Sequence, residues 1–178
     1  MSSTCNRLRI AVDFGGVLSA SSGDYEDGKN EAIVPINIED ALESLLFLKK
    51  EGHELYLVSF CGKKRAEQTR SYLETTYPDL FTELYFVKST KFKSAICSYI
   101  KADVMIDDRL DILNSINELQ THRIHFVGDP NRVSTLVDFS FTGFTAKDWI
   151  ATVIIIKALE PLNRFGTPQK VDLKKMYY

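Results

Sequence analysis

The chain has 178 residues, of which 44% are hydrophobic and 26% are charged, and its formal net charge is −2. These values are typical of one globular domain, and they exclude a broad basic surface for nucleic acid or acidic membranes. Three widely spaced cysteines form no C-x-x-C pair, so the sequence favours neither a disulfide framework nor a zinc site and indicates a reducing, cytoplasmic environment. The N-terminal residues lack the apolar core of a signal peptide, and no apolar run approaches the roughly 18 residues of a membrane-spanning helix.

From the N-terminus onward, short apolar runs alternate with amphipathic segments. The apolar runs predict strands at residues 9–14, 53–60, 83–88, 103–108 and 123–129. The amphipathic segments predict helices at 38–50, 63–76, 93–101 and 109–119, and a last helix that begins at the capping box Thr145–Asp148 and runs toward Leu159. Strands that alternate with helices predict an α/β fold, in which a parallel sheet of five or six strands has helices on both faces.

Two polar segments fall outside these elements. A stretch rich in Gly, Ser and Asp follows the first strand, and we expect it to form a flap at about residues 19–37 of a single domain that spans residues 1–160. Residues 161–178 are locally basic and show no periodicity, so they are predicted to form an extended C-terminal arm.

Polar side chains lie at the ends of the predicted strands. Asp13 ends the first strand, Ser59 the second, and Asp107 and Asp108 the fourth, while Lys93 opens the helix before the fourth strand. In parallel α/β sheets ligands bind beyond the carboxyl ends of the strands, so we expect these groups to converge. Clustered carboxylates repel one another unless a cation intervenes, and hard oxygen ligands suit Mg²⁺, which also accepts phosphate oxygens.

This set of groups predicts phosphate chemistry. Asp13 would attack phosphorus and form an aspartyl-phosphate, while Lys93 would neutralise charge between the nucleophile and the phosphate. Ser59 and the backbone N–H groups of the turn at Gly15 and Gly16 would hold the phosphoryl oxygens, because glycines let a backbone approach a phosphate closely.

The same elements in the same order resemble the haloacid dehalogenase (HAD) superfamily, which consists mostly of Mg²⁺-dependent phosphatases, over about residues 8 to 130. "VDFGGVL" is similar to the first motif of that family, a strand followed by D-x-D-x-[TV], and "LYLVS" to the second. A lysine in "KSTKFKS" is similar to the third motif, and "VMIDDR" to the fourth.

The resemblance implies a role for each matching residue. Asp13 takes the place of the nucleophile and Ser59 that of the phosphate-binding hydroxyl. Asp107 takes the place of a metal ligand, Asp108 would support the metal through water, and the backbone carbonyl of Gly15 would complete the Mg²⁺ site.

Some assignments stay open. Lys93 is favoured as the family's lysine because it directly opens a helix, with Lys91 second and Lys88 third. Asp111, on the helix after Asp107, is a candidate for a further acid near the metal. Lys63 opens the helix after Ser59 and is a candidate to steer an anionic substrate, although a solvated helix end is the more common explanation of such a lysine.

Position 15 departs from the family's first motif, because Gly15 stands where the family has a second aspartate. In the family that aspartate protonates the leaving group and then activates water, and general acid–base help is typically worth about 10²–10⁴-fold. Three explanations of this departure stay open. The protein could act on substrates with good leaving groups, or the flap could supply an acid through Asp24, Glu26 or Asp27. Alternatively, the protein is a weak or inactive binder of phosphate.

The segments after the first motif and before the lysine are too short for a folded cap domain. The resemblance is therefore to capless members, whose open sites accept macromolecules or nucleotides, or are covered by a second copy or a partner protein. Cys61 lies near the predicted crevice, but none of the three histidines is placed to activate it: His53, His122 and His125 are expected at strand starts, away from the active edge, in structural roles.

The leading hypothesis is a Mg²⁺-dependent phosphohydrolase that acts on a phosphate ester through Asp13. The alternative is an inactive HAD-like protein that binds a phosphorylated ligand or a protein partner. A third class is phosphotransfer or another nucleophilic reaction at carbon or phosphorus.

Overall fold

Most strands of this protein are short and buried, as expected of a parallel sheet that helices cover on both faces. The computed structural model describes residues 7–21, 35–132, 140–162 and 178. Its strands are β1 (Arg9–Val12), β2 (Glu54–Phe60), β3 (Glu83–Val87), β4 (Val104–Asp107), β5 (His122–Phe126) and β6 (Phe144–Ala146). They form one six-stranded sheet in the order β3-β2-β1-β4-β5-β6, in which every neighbouring pair is parallel.

The helices lie on the two faces of the sheet. They are α1 (Ala41–Lys50), α2 (Lys63–Thr76), α3 (Phe92–Ile100), α4 (Leu110–Asn114) and α5 (Trp149–Leu159). Alternate residues of β1 belong to different apolar clusters: Ile10 packs in the cluster that includes α1 and α5, and Ala11 in the cluster that includes α3 and α4. This period of two is the normal geometry of a strand, and it places odd-numbered residues of β1 on the side of α3.

The sheet has a topological switch point between β1 and β4. The chain adds β2 and β3 on one side of β1 and then returns to place β4 on the other side. Val12 lies opposite both Leu57 of β2 and Ile106 of β4, so the carboxyl ends of the three strands lie at the same edge of the sheet, where β2 extends furthest. Ligands of open α/β sheets bind in the crevice at such a point, beyond the carboxyl ends of the strands.

The predicted fold class is confirmed, with differences at the element ends. The helix predicted from residue 38 begins at Ala41, because Asp40 adopts a left-handed conformation with φ 60°. The helix predicted to reach residue 119 ends at Asn114, where the Ser115 hydroxyl donates to the carbonyl of Ile112.

The capping-box prediction was wrong. Thr145 lies in β6, where it pairs with His125, and the N-cap of α5 is Asp148, whose carboxylate accepts the N–H of Ala151 at 2.7 Å. The sequence analysis located no strand at β6, because its three residues are stabilised by pairing with β5 and carry no pattern of their own.

Between β3 and α3 the chain has only residues 88–91, and no inserted domain occurs among the described residues that join β1 to α1. Most of the predicted flap (22–34) and most of the predicted arm (163–177) lie outside the described residues, and with them Asp24, Glu26 and Asp27. The division of the chain into domain, flap and arm therefore stays a prediction. In the described ranges, no helix has both the length and the apolar character needed to cross a bilayer.

Candidate active site

Asp13 is the first residue beyond β1 and lies at the switch point. Its backbone N–H donates to the carbonyl of Ile106 at 3.0 Å, which keeps it in line with the sheet, and its side chain is buried. Because side chains alternate between the two faces along β1, the side chain of Asp13 lies on the same face of the sheet as α3. The turn that follows is held in place by a bond from Leu18 N–H to the carbonyl of Phe14 at 2.9 Å and by the indole N–H of Trp149, which donates to the carbonyl of Val17 at 2.8 Å.

Lys93, in the first turn of α3, joins the ends of β1 and β4. Its ammonium lies 3.0 Å from Asp13 Oδ2 and 2.6 Å from Asp107 Oδ2, and its side chain is 1% exposed. Burial alone would lower the pKa of Lys93, but the two carboxylates outweigh burial and raise it. The other candidates lie elsewhere: the ammonium of Lys88 is over the ring of Tyr178, and that of Lys91 is over the ring of Phe92.

Asp107 is fully buried at the end of β4. Its Oδ2 accepts from Lys93, and its Oδ1 accepts the backbone N–H of Arg109 at 2.9 Å. Burial raises the pKa of Asp107 to about 6, because the attraction of Lys93 only partly offsets desolvation and the repulsion of Asp13. The neighbouring ammonium of Lys93 favours the ionised form of this buried carboxyl.

The three acids Asp13, Asp107 and Asp108 fit a divalent cation. Each offers an oxygen, and these oxygens all lie within 4.8 Å of one another. Asp13 Oδ1 is buried and has no hydrogen-bond partner in the part of the chain that the structure describes. Asp13 and Asp107 share the single ammonium of Lys93, so a hard cation would satisfy both the remaining charge and the open oxygen, and Mg²⁺ prefers such ligands.

Asp108 packs against Gly16. Gly16 has φ +78°, and a Cβ added there would lie 2.7 Å from Asp108 Cγ, so glycine is required both for its backbone conformation and for the space. The N–H of Gly16 donates to the carbonyl of Ser19 at 2.7 Å. That N–H is thus used within the turn and is not directed at a ligand, which differs from the phosphate-binding role predicted for it.

Gly15 differs from Gly16. It forms an isolated bridge with Ser19, and positive φ among the described glycines occurs only at Gly16 and Gly52. The φ angle at position 15 therefore does not by itself require glycine, in contrast to position 16.

Ser59 reaches the same edge of the sheet from β2. Because Val12 lies opposite Leu57, Ser59 is level with the residue after Asp13, and its side chain is buried. Lys63, the first residue of α2, is 73% exposed and has its ammonium 3.9 Å from Glu67 Oε1, which is the geometry of a solvated helix surface.

Cys61 follows β2 at this edge and is half-buried. Burial, with the nearby charge of Asp13, raises the pKa of the Cys61 thiol to about 11. The thiol is therefore protonated at neutral pH, and the structure gives no support for a reactive cysteine.

Two arginines near Asp108 have contacts that the sequence pattern does not indicate. Arg132, in the loop after β5, forms an ion pair between its Nη1 and Asp108 Oδ2. Arg109 binds Asp111 through two hydrogen bonds, at 3.0 and 2.6 Å, and these lower the pKa of Asp111. The carboxylate of Asp111 thus holds Arg109.

The prediction for His125 was wrong. It lies opposite Asp107 near the carboxyl end of β5, and its Nε2 is 3.3 Å from the carbonyl of Asp108. The error arose because β5 runs from His122 to Phe126 and not to residue 129, which moves His125 toward the active edge. His122 begins β5 and His53 precedes β2, as expected.

Comparisons with known proteins agree with this architecture. No protein-family model matches the chain. Over 82 residues, or 46% of this chain, it is 28% identical to a "Putative nucleotidase" of Oceanobacillus iheyensis, and the alignment spans only 44% of that relative.

Solved structures match over most of their length. A D,D-heptose 1,7-bisphosphate phosphatase from B. bronchiseptica, complexed with magnesium and phosphate, aligns with a TM-score of 0.62 and 9% identity over 84% of this chain and 98% of its own. An uncharacterized protein from Listeria monocytogenes aligns with a TM-score of 0.61 and 15% identity, over 86% of this chain and 99% of its own. A HAD-superfamily hydrolase from Ehrlichia chaffeensis aligns with a TM-score of 0.57 and 14% identity, over 88% of this chain and 99% of its own. At these identities the likeness shows the fold.

Proposed function

We propose that this chain, which has the fold of the HAD superfamily, is a Mg²⁺-dependent phosphohydrolase that attacks a phosphate group with Asp13. The observation that supports this most strongly is the buried bridge from Lys93 to Asp13 and Asp107, beside an Asp13 oxygen that has no partner among the described residues. The fold-level likeness to a phosphatase complexed with magnesium and phosphate agrees with it.

Each side chain has a distinct role in this proposal. Asp13 attacks phosphorus, and Lys93 holds its carboxylate in place and offsets the charge of the arriving phosphoryl group. Asp107, Asp108 and the carbonyl of Gly15 would hold Mg²⁺ together with Asp13, and the ion would supply electrostatic stabilisation of the phosphoryl oxygens. Ser59 would donate its hydroxyl to the same oxygens.

The absence of an acid at position 15 favours a second candidate function. A site with Gly15 can bind Mg²⁺ and phosphate while it lacks proton transfer, which is the property of an inactive binder of phosphorylated ligands or protein partners.

The deciding experiment measures phosphate release from p-nitrophenyl phosphate with and without Mg²⁺. We expect Mg²⁺-dependent turnover in the wild type and none in Asp13→Asn. Asp79→Asn is the matched control, because Asp79 is exposed in a left-handed turn that asparagine also tolerates. If the wild type shows no turnover but binds beryllium fluoride with Mg²⁺, the binding function replaces the enzymatic one.

We also infer a cytoplasmic location and a phosphorylated small molecule or macromolecule as the substrate. The free thiols Cys61 and Cys97 support a reducing compartment. The short connection between β3 and α3 supports an open site, which a second copy or a partner protein would cover.

A further inference from the structure

Arg132 contacts the acidic cluster from the turn at residues 129–132, which several hydrogen bonds hold in place. The buried carboxylate of Asp129 accepts the N–H of Asn131 at 2.9 Å and the N–H of Ser21 at 3.0 Å. The N–H of Arg132 donates to the carbonyl of Asp129 at 3.1 Å. This turn aims the guanidinium at Asp108, and the Arg132 side chain is still 40% exposed to solvent.

When a phosphate group binds, a further cation is needed to balance the negative charge of the acidic cluster. Asp13, Asp107 and Asp108 bring three negative charges, against one positive charge on Lys93. A divalent ion would make this set neutral, and a phosphoryl group would then add about two negative charges. Arg132 supplies positive charge on the β5 side of the site, away from Lys93, which approaches from α3.

Gly15 limits which bond can break. Gly15 carries no acid, so a leaving group that receives no proton at this position departs as an anion. An alkoxide is a poor leaving group, because alcohols hold their proton about as tightly as water, whose pKa is about 16. A phosphate group holds its second proton with a pKa of only about 6, and it leaves carrying negative charge that a cation can bind.

We propose that the site cleaves phosphoanhydrides, and that Arg132 binds the departing phosphate of a substrate with a terminal diphosphate. This inference rests on the proposed function. An Asp13 oxygen forms a bond to the terminal phosphorus, the bond from that phosphorus to the bridging oxygen breaks, and its electron pair leaves on the inner phosphate. Water then attacks the aspartyl-phosphate, the bond between Asp13 and phosphorus breaks, and both protons of the water end on the released inorganic phosphate.

Arg132 acts on this reaction as a fixed cation. A guanidinium stays charged at every physiological pH and presents several N–H donors to phosphate oxygens. It stabilises the departing anion by electrostatics and supplies no proton, which matches a substrate that needs none.

The test compares adenosine diphosphate, adenosine monophosphate and p-nitrophenyl phosphate as probes at saturating Mg²⁺. In the wild type we expect kcat/KM for the diphosphate to exceed that for the monophosphate by about 10²-fold or more, since the latter must expel an alkoxide. Arg132→Met should lower kcat for the diphosphate by about 10²-fold, the typical effect of losing a donor to a developing anion, and affect p-nitrophenyl phosphate only a few-fold.

Two further variants separate this role from a structural one. Arg132→Lys keeps the charge and should retain an intermediate rate on the diphosphate. Lys50→Met removes a positive charge from the exposed end of α1 and should leave all three rates unchanged. Thermal melts of each variant confirm that it is folded.

The outcomes are distinct. Equal kcat/KM for the two adenosine probes, or an equal loss on all three substrates in Arg132→Met, overturns the inference, and the second result makes Arg132 a structural partner of Asp108. If the wild type fails to hydrolyse even p-nitrophenyl phosphate with Mg²⁺, the proposed function itself fails, and the inference falls with it.

Discussion

The ammonium of Lys93 lies 2.6 Å from Asp107 Oδ2, in a position where both side chains are at least 99% buried. This ion pair joins α3 to β4, and because Lys93 also contacts Asp13, it holds the ends of two central strands together. Charges taken out of water are tolerated only when they are paired, so the stability of this edge and its chemistry depend on the same side chain.

Removal of Lys93 should therefore destabilise the protein strongly. Lys93→Met leaves the buried carboxylates without their cation, and breaking a buried pair of this kind typically lowers the free energy of unfolding by about 3–5 kcal/mol. Urea denaturation in Mg²⁺-free buffer measures the loss. Lys91→Met is the control, because Lys91 is exposed beside the same helix and should change stability little; an equal effect of the two variants would contradict the assignment of Lys93.

Gly16→Ala should disturb Asp108. The variant combines a left-handed backbone at φ +78° with overlap between the new Cβ and the Asp108 carboxylate, and the backbone alone costs about 1–2 kcal/mol. Gly52→Ala is matched to it, since Gly52 has φ +95° but open space around the added Cβ.

We expect Gly16→Ala to lose more stability than Gly52→Ala and to bind Mg²⁺ more weakly, as measured by urea denaturation and by titration calorimetry. If the Mg²⁺ affinity of Gly16→Ala is unchanged, Asp108 does not contribute to the metal site.

Gly15→Asp should add proton transfer to the site. Its φ angle is outside the left-handed region, which permits a side chain, and general acid–base help is worth about 10²–10⁴-fold. We expect a large gain in the hydrolysis of adenosine monophosphate and a smaller gain for the diphosphate, which benefits only from the activation of water. Gly15→Asn has the same shape without the acid, and a rate increase with asparagine as well would mean that the gain does not come from proton transfer.

His53 should make stability depend on pH. Its Nδ1 accepts the N–H of Leu8 at 3.2 Å, so the proton of the neutral ring is on Nε2, 3.1 Å from Glu160 Oε1. Burial lowers the pKa of His53 below 6.5, although Glu160 partly opposes this. The unfolded chain therefore binds a proton before the folded one does, and the stability that the neutral ring provides is present above about pH 6.5 and lost as the pH falls below it.

Comparison with His53→Gln isolates this contribution from other titrating groups. Urea denaturation at several pH values between 5 and 8 should show the wild type losing stability relative to the variant on the acid side. A constant difference across this range would contradict a lowered pKa for His53.

Much of this architecture follows from local pattern. Runs such as "ELYLVS" are recognisable as buried strands because a short, mainly apolar composition is a property of the segment alone. The residues at strand ends, Asp13, Ser59 and Asp107, can be named for the same reason, and the rule that parallel strands present their carboxyl ends to one crevice predicts that they lie together.

Contacts between distant segments could not be derived in this way. Residues on a helix are separated by about 100° each, so whether Lys91 or Lys93 meets the carboxylates depends on where α3 begins and how it is placed on the sheet. Arg132 is 24 residues from Asp108, and β6 exists only because β5 pairs with it. Periodicity describes one segment at a time, whereas an ion pair across the switch point depends on how the whole chain packs.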